Sequence, residues 1–465
     1  MKAVLAVDIG TSSVKSGLVT ADGGLQELHI ERLDSGDRTS ISWDPNAWIY
    51  VLKSLVLKFE KRAAAAAIVI SGNGPTLIPL DKEGNPSFSA LHWMNDQNVV
   101  LPNVPSFFLP KAAWLREKHP RDFARTRCFL SCPEYVAYYL TGEKTAVTPH
   151  EDFTPYVYTK ESIQAYCFEQ SLFPPFVQTG RMIGRLRSEL SRQLDLPAGI
   201  PVYAGGPDFL MSLLGTATLE PGMTCDRAGT SEGINYCSQK RQQGERLRVL
   251  PHVLPQRYNV ASILSSTGRL FSWYKQLTGQ EHVSYREMLL NIEDDIYTFS
   301  RPWFFPTIHE GAIWEFSHGM FIGLGAEHGP REIGRAVVHS IGFAVREAIE
   351  ILEQRCCPVG ELRLSGGQAK NRIWNQIKAD MTGKVLLVPE VEDSELVGNA
   401  CAGFTGLGEY GSLEEASGRM VRIKERYEPR PEAAKRFEEA FKDYCSRYRA
   451  FRKTLSTVTK SATVL

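Results

Sequence analysis

Asp8-Ile9-Gly10-Thr11-Ser12-Ser13-Val14-Lys15 has β-forming residues on both sides. Ala3–Ile9, Ser13–Thr20 and Leu25–Arg32 read as strands, joined by the Gly-Thr-Ser turn and by Ala21-Asp22-Gly23-Gly24. A helix follows from Asp44 as N-cap, with Pro45 first and Trp48, Leu52, Leu55 and Phe59 on one face. Ala67–Ser71 is then a short buried strand that ends in Gly72-Asn73-Gly74-Pro75. Three hairpin-linked strands, a helix and a strand predict a mixed sheet with helical cover, in the α/β class.

The opening recurs. Asp226-Arg227-Ala228-Gly229-Thr230-Ser231 is followed by Ile234-Asn235-Tyr236-Cys237, with the Asp–Gly spacing changed by one residue. Each copy opens one half of the chain, where a duplicated domain would begin. Further on, the sequence predicts an extended segment at Tyr258–Leu264, a helix from about Ser266 and a long helix over Gly329–Arg355. Strands at Leu362–Ser365 and Val385–Val388 alternate with helices at Arg372–Met381 and Ser394–Leu407. An amphipathic helix over Pro431–Arg452 precedes a frayed tail, Thr454–Leu465. The boundary is expected near Glu220-Pro221-Gly222, giving domains 1–220 and 221–465.

Composition narrows the function classes. The 465 residues carry 53 Lys+Arg and 53 Asp+Glu, so no overall basic field favours a nucleic acid or an anionic membrane. The longest purely apolar run, Ala63–Ile70, is far short of a membrane span. Nine cysteines at scattered spacings suggest reduced thiols in a cytoplasmic protein, and none of them has the spacing of a zinc site.

The candidate chemistry lies in turns. A tight hairpin exposes backbone N–H groups, and glycine lets a phosphate approach them. Gly10, Thr11, Ser12, Gly229, Thr230 and Ser231 fit that pattern, and Lys15 adds a cation. Asp8 suits Mg²⁺, held through water. Either hairpin alone is also what an ordinary turn looks like. Gly205-Gly206-Pro207-Asp208 precedes the helix-forming run Phe209–Leu214, so Asp208 is either a plain N-cap or a general base. Ser365-Gly366-Gly367-Gln368-Ala369-Lys370-Asn371 lies between a strand and a helix, where a flat base could pack on backbone and bond to Asn371.

Two patterns mislead. Gly229-Thr230-Ser231-Glu232-Gly233 fits the G-x-S-x-G nucleophile elbow, but that motif needs a helix where Ile234–Cys237 predicts a strand. Gly142-Glu143-Lys144-Thr145 lacks the glycine and the Gly-Lys pair of a P-loop and reads as a solvated turn. Trp43, Trp48, Trp114 and Trp374 fit helix packing better than a cofactor role.

Taken in order, these segments resemble the FGGY carbohydrate kinases, in the actin/hexokinase/heat-shock-chaperone ATPase superfamily. Asp8–Lys15 resembles their first phosphate motif, Cys225–Tyr236 the second, and Leu364–Asn371 with Asp380 and Gly383 the adenosine motif. Lys111-Ala112-Ala113-Trp114 is similar to their K-x-x-W signature, and Phe304–Val337 to the stretch leading into a long helix. The likeness is collinear over about residues 1–425.

What the resemblance implies is two ribonuclease-H-like domains around a central cleft and ATP-dependent, Mg²⁺-assisted phosphorylation of a neutral sugar or polyol. It assigns Gly10, Thr11, Ser12, Lys15, Gly229 and Thr230 to the nucleotide phosphates, and Gly268, Gly366, Gly367 and Asn371 to the rest of the nucleotide site. Asp208 becomes the catalytic base and Asp8 the residue that places Mg²⁺. No nucleic-acid or membrane partner is implied, and a homodimer is allowed.

The acceptor segments depart from the family. Gly72-Asn73-Gly74-Pro75 matches neither Met-His-Gly nor Asn-Gln-Arg-Glu. The W-x-D-x-R element appears as Trp93-Met94-Asn95-Asp96-Gln97-Asn98, one residue longer and without arginine. Thr148-Pro149-His150-Glu151-Asp152 also lacks the usual pattern. Asn73, Trp93, Asp96 and Asp208 are the expected acceptor contacts. A ketopentose such as xylulose or ribulose is favoured over glycerol- or erythritol-type polyols. The alternatives are a catalytically silent sugar- or nucleotide-responsive binding protein, or a filament-forming ATPase, on the same scaffold.

Overall fold

The computed structural model describes residues 2–33, 43–307, 316 and 319–462, with side chains to residue 451. Part of the stretch between Pro306 and Gly323 lies outside the described residues. In chain order the first elements are β1 (Ala3–Ile9), β2 (Ser13–Thr20), β3 (Leu25–Arg32), α1 (Asn46–Lys58), β4 (Ala65–Gly72), α2 (Leu109–Lys118), β5 (Met182–Arg185), β6 (Pro201–Pro207) and α3 (Asp208–Gly215). They are followed by β7 (Thr224–Ala228), β8 (Glu232–Ser238), β9 (Leu247–Pro251), β10 (Tyr258–Leu264), α4 (Thr267–Leu277), α5 (Pro330–Glu353), β11 (Glu361–Ser365) and α6 (Arg372–Thr382). The chain ends with β12 (Val385–Pro389), α7 (Ser394–Gly406), β13 (Ile423–Tyr427) and α8 (Pro431–Ala462). The last helix runs past the expected end at Arg452 into the segment read as a tail.

Two compact units result. The first holds Met1–Ala217, Pro251–Gln256 and Asp393–Arg422; the second holds Thr218–Leu250, Arg257–Glu392 and Ile423–Leu465. Pro251–Gln256 and Asp393–Arg422 lie within the expected 221–465 half, yet they pack with the first unit.

The first unit has a six-stranded sheet in the order β3-β2-β1-β4-β6-β5. β1, β2 and β3 are antiparallel, β4 and β6 run parallel to β1, and β5 is antiparallel to β6. β1 is buried along its whole length, as a central strand covered on both faces must be. Trp48, Leu52, Leu55 and Phe59 of the α1 stripe are all buried, within a core that includes Leu5, Val7, Ile68 and Ile70. At about 1.5–3 kcal/mol per large side chain removed from water, that stripe holds the helix in place. Asp44 accepts from Asn46 N–H at 2.9 Å, as an N-cap does, while the regular helix starts at Asn46 rather than Pro45.

The second unit has a seven-stranded sheet in the order β9-β10-β8-β7-β11-β12-β13. β7, β8 and β10 are antiparallel, β11 and β12 run parallel to β7, and β13 is antiparallel to β12. Strand for strand this repeats the first sheet, with β9 added at one edge. Its core includes Ile234, Val260, Val337, Ile341, Phe343, Leu362 and Leu364.

Candidate active site

In the first unit the ends of the three parallel strands are in register. Ile9 pairs with Gly72, and Gly72 with Pro207. The Gly10–Ser12 turn, the Asn73 loop and Asp208 therefore all follow directly at the carboxyl ends of neighbouring strands, the edge where α/β sheets bind ligands. Asp208 is the first residue of α3 and is half-buried; its Oδ1 accepts from Phe209 N–H at 2.6 Å. Gly205 has no room for a side chain, since a Cβ there would lie 2.3 Å from Ile70 O. This close strand approach accompanies an irregular register just before Pro207.

Hairpin one is tight: Gly10 N–H donates to Ser13 O at 2.9 Å. Asp8 is buried and accepts from Ser71 Oγ at 2.8 Å. Lys15 stands opposite Asp8 in the β1–β2 register. Its ammonium pairs with Asp393 at 2.7 Å, ahead of α7. Burial works against the charge on Lys15, but Glu395, Asp393 and Asp8 outweigh it and raise the pKa. Asp393 is thus the carboxylate that pairs with the ammonium, and Glu395 and Asp8 add electrostatic support. Asn399 of α7 donates to Val7 O and to Ser71 Oγ, each at 2.9 Å. The same helix packs closely on α3, where a Cβ at Gly398 would lie 1.9 Å from Met211 O and one at Gly215 1.8 Å from Ser394 O. Sequence reasoning missed Asp393, Glu395 and Asn399, which lie more than three hundred residues from the hairpin they support.

The acceptor residues are arranged unevenly. Asn73 is buried; its Nδ2 donates to Gly10 O at 3.4 Å and its Oδ1 accepts from Thr76 Oγ1 at 2.8 Å. Its amide therefore serves the loop. Asp96 is exposed. Trp93 is 40% exposed and donates from Nε1 to Thr11 Oγ1 at 3.1 Å. Beneath this segment the Lys111 ammonium is buried against the carbonyls of His92 at 3.0 Å and Asn95 at 3.4 Å. Burial lowers it to about 8 despite the charge of Asp96. His92 stacks on Trp43 with centroids 4.4 Å apart, and burial with the nearby Lys111 charge lowers it to about 4. Trp43 is thus tied to the acceptor segment.

In the second unit, Arg227 of β7 pairs with Ser365 of β11, so the Gly229 and Gly366 turns leave adjacent parallel strands together. Gly229 N–H donates to Ser231 O at 2.8 Å, and β8 follows as a strand, which excludes the nucleophile elbow. Gly268 and Gly366 are required by contact: a Cβ would lie 2.2 Å from Gly229 O and 2.4 Å from Ala228 O, and Gly366 has φ +90°. Gly367 faces open space. Asn371 caps α6, its Oδ1 accepting from Ile373 and Trp374 N–H at 3.1 and 3.2 Å, so only its amide nitrogen is available to a nucleotide. Trp374 donates to Gln368 at 2.9 Å.

Below this turn lies a fully buried ion triad unseen in the sequence. Lys378 Nζ contacts Asp226 at 2.6 Å and Glu232 at 2.7 Å. Burial, and then Glu232, push the Asp226 carboxyl up to about 8 against the pull of Lys378. Asp380 is buried further along α6 and anchors Arg430 before α8, with Nη2 at 2.6 Å and the backbone N–H at 2.7 Å.

Duplicated sheets, with paired glycine turns at the ends of their parallel strands, define the actin-like ATPase class. Residues 96–215 match the N-terminal domain of the FGGY family of carbohydrate kinases, and residues 227–407 match its C-terminal domain. The chain belongs to that family. It is 24% identical over 482 residues to the xylulose kinase of Staphylococcus epidermidis, covering 96% of each chain. It is 25% identical over 496 residues to the autoinducer-2 kinase of Salmonella choleraesuis, covering 94% of this chain and 92% of that one. The crystal structure of ligand-bound xylulose kinase from Lactobacillus acidophilus superposes with a TM-score of 0.79 at 19% identity, over 97% of this chain and 98% of that one. The protein is therefore a carbohydrate kinase, with ATP as the family's phosphate donor. Among the described residues no helix is long and apolar enough to cross a membrane.

Proposed function

We propose that this kinase transfers the γ-phosphoryl group of ATP to a hydroxyl of a ketopentose, xylulose first. The observation that carries this reading is the register of Ile9, Gly72 and Pro207, which brings hairpin one, the acceptor loop and Asp208 to one sheet edge. The relatives named xylulose kinase, matched over nearly the whole chain, supply the acceptor.

In this reading Asp208 takes the proton of the attacking alcohol as its oxygen reaches phosphorus. Gly10, Thr11, Ser12, Gly229 and Thr230 offer N–H and hydroxyl donors to the charge that develops on the phosphoryl oxygens. Gly268, Gly366, Gly367 and the Asn371 amide nitrogen form the remainder of the nucleotide site. Lys15, already paired with Asp393, steadies Asp8 rather than reaching a phosphate. Mg²⁺ would neutralise phosphate charge, and Asp8 is the residue to hold it through water. The ion would come with ATP, since Mg²⁺ keeps much of its hydration shell and is held by one or two carboxylates together with substrate phosphates. Asp96 is the better hydroxyl partner for the sugar, because it is exposed, whereas the Asn73 amide is buried and bonded within its own loop.

Coupled ADP release across xylulose, ribulose, hexuloses, pentitols, glycerol and erythritol tests the assignment, with xylulose expected to give the highest kcat/KM. Asp208→Asn should lower kcat by about 10²–10⁴ while ATP still binds. Near-normal turnover would remove Asp208 from the mechanism, and ATP hydrolysis at background with every acceptor would favour a binding protein. Nine free cysteines suit a reducing, cytoplasmic setting. The homodimer is tested by light scattering.

A further inference from the structure

Trp93 was expected at the sugar, yet its bonds lead to the phosphate hairpin. Its backbone N–H donates to Thr76 Oγ1 at 3.3 Å, its ring lies over Gly74, and its indole N–H donates to Thr11 Oγ1 at 3.1 Å. Thr76 in turn donates to Asn73, and Asn73 donates to Gly10 O. The result is a closed hydrogen-bonded circuit within the first unit, with two of its members on hairpin one. Thr76 and Asn73 are buried, so the circuit is anchored beneath the surface even though the indole is partly exposed.

The chemistry of the end group sets the direction. An indole nitrogen only donates, whereas a hydroxyl has one proton and two lone pairs. With one lone pair of Thr11 Oγ1 taken by Trp93, the Thr11 proton is directed to another acceptor. We propose that Trp93 is a positioning residue for the nucleotide, fixing the Thr11 hydroxyl as a donor toward a phosphate oxygen of ATP. This rests on the reading of Thr11 as a phosphate contact.

The test uses the full-length enzyme with Trp93→Phe, which keeps a ring over Gly74 and removes only the N–H, together with Thr11→Val, Thr11→Ser and the double variant Trp93→Phe/Thr11→Val. Losing one such bond should raise KM for ATP by roughly 2- to 10-fold and leave the sugar KM within twofold. The double variant should be no worse than Thr11→Val alone, and Thr11→Ser, which keeps the hydroxyl, should recover most of the rise in KM for ATP that Thr11→Val causes. Unchanged melting temperatures would confirm that the variants fold. A raised sugar KM with normal ATP kinetics in Trp93→Phe would overturn the proposal and return the indole to the acceptor. Effects that add in the double variant would also overturn it. If Thr11→Val leaves ATP kinetics unchanged, the phosphate role of Thr11 fails first, and the role of Trp93 fails with it.

Discussion

The two Gly-Thr-Ser hairpins occupy the same place in duplicated sheets, yet their supports differ in kind. Hairpin one leans on Lys15, whose side chain keeps 22% of its exposure and pairs with Asp393. Hairpin two leans on Lys378, whose side chain is 1% exposed and bridges Asp226 and Glu232. The first network includes Asp8, the residue read as placing Mg²⁺, and its lysine keeps part of its surface in water. The second is sealed, and burial holds its Asp226 carboxyl toward the protonated form. A duplicated backbone has thus kept its turns while one copy holds the ionic cluster in reach of solvent and the other inside the core.

The largest expected effect separates the two lysines. Lys378→Met leaves two carboxylates buried without their cation and should cost about 3–5 kcal/mol, read from urea unfolding. Lys15→Met, where water reaches the pair, should cost clearly less. Adding Asp226→Leu and Glu232→Leu to Lys378→Met should recover most of the loss, since an apolar replacement of a whole buried cluster is often neutral. Equal losses for the two lysine variants would break the contrast.

Glycines sharpen it at the nucleotide. Gly366→Ala puts a Cβ 2.4 Å from Ala228 O at positive φ, a strain of about 1–3 kcal/mol that should lower the melting temperature. Gly367→Ala meets nothing within 4 Å, so its stability should be unchanged. A rise of about tenfold in KM for ATP in that variant would report direct nucleotide contact. Normal ATP kinetics would place the nucleotide elsewhere.

The smallest effect is a pH dependence. Because Asp226 is raised, its proton adds stability that is fully present below the unfolded carboxylate pKa and is lost as pH rises through about 8. Lys15 is raised too, so its contribution holds below the ordinary lysine range and is lost only above it. From about pH 6 to about pH 9, amide exchange corrected for its intrinsic rate should quicken over Thr224–Ser238 and stay constant over Ala3–Thr20. Asp226→Asn should flatten the response. Equal behaviour of the two hairpins would count against the sealed triad.

The strands of both hairpins were legible because apolar runs and glycine turns are local signals. β1, β2 and β3 begin and end where the sequence predicts. The wiring was not legible, since Lys378 lies 152 residues from Asp226 and 146 from Glu232, and no periodicity joins them. Asn73 and Trp93 were recognised as side chains that could bind a sugar. Composition carries no trace of the competing partners, Thr76 and Thr11, that the fold brings beside them. The discontinuity of the first unit was hidden for the same reason: α7 has an ordinary helical sequence, and only its contacts with β1 and α3 say where it belongs.

That late helix bears on synthesis. The first unit lacks Asp393, Asn399 and the α3–α7 glycine crossing until the chain has been made through Arg422, about two hundred residues after Ala217. At roughly 5–20 residues per second the nascent sheet waits on the order of 10–40 s with Lys15 and Val7 O deprived of their eventual partners. A fragment ending near residue 217 is the stalled form of that wait, and supplying 393–422 as a separate peptide is the way to end it.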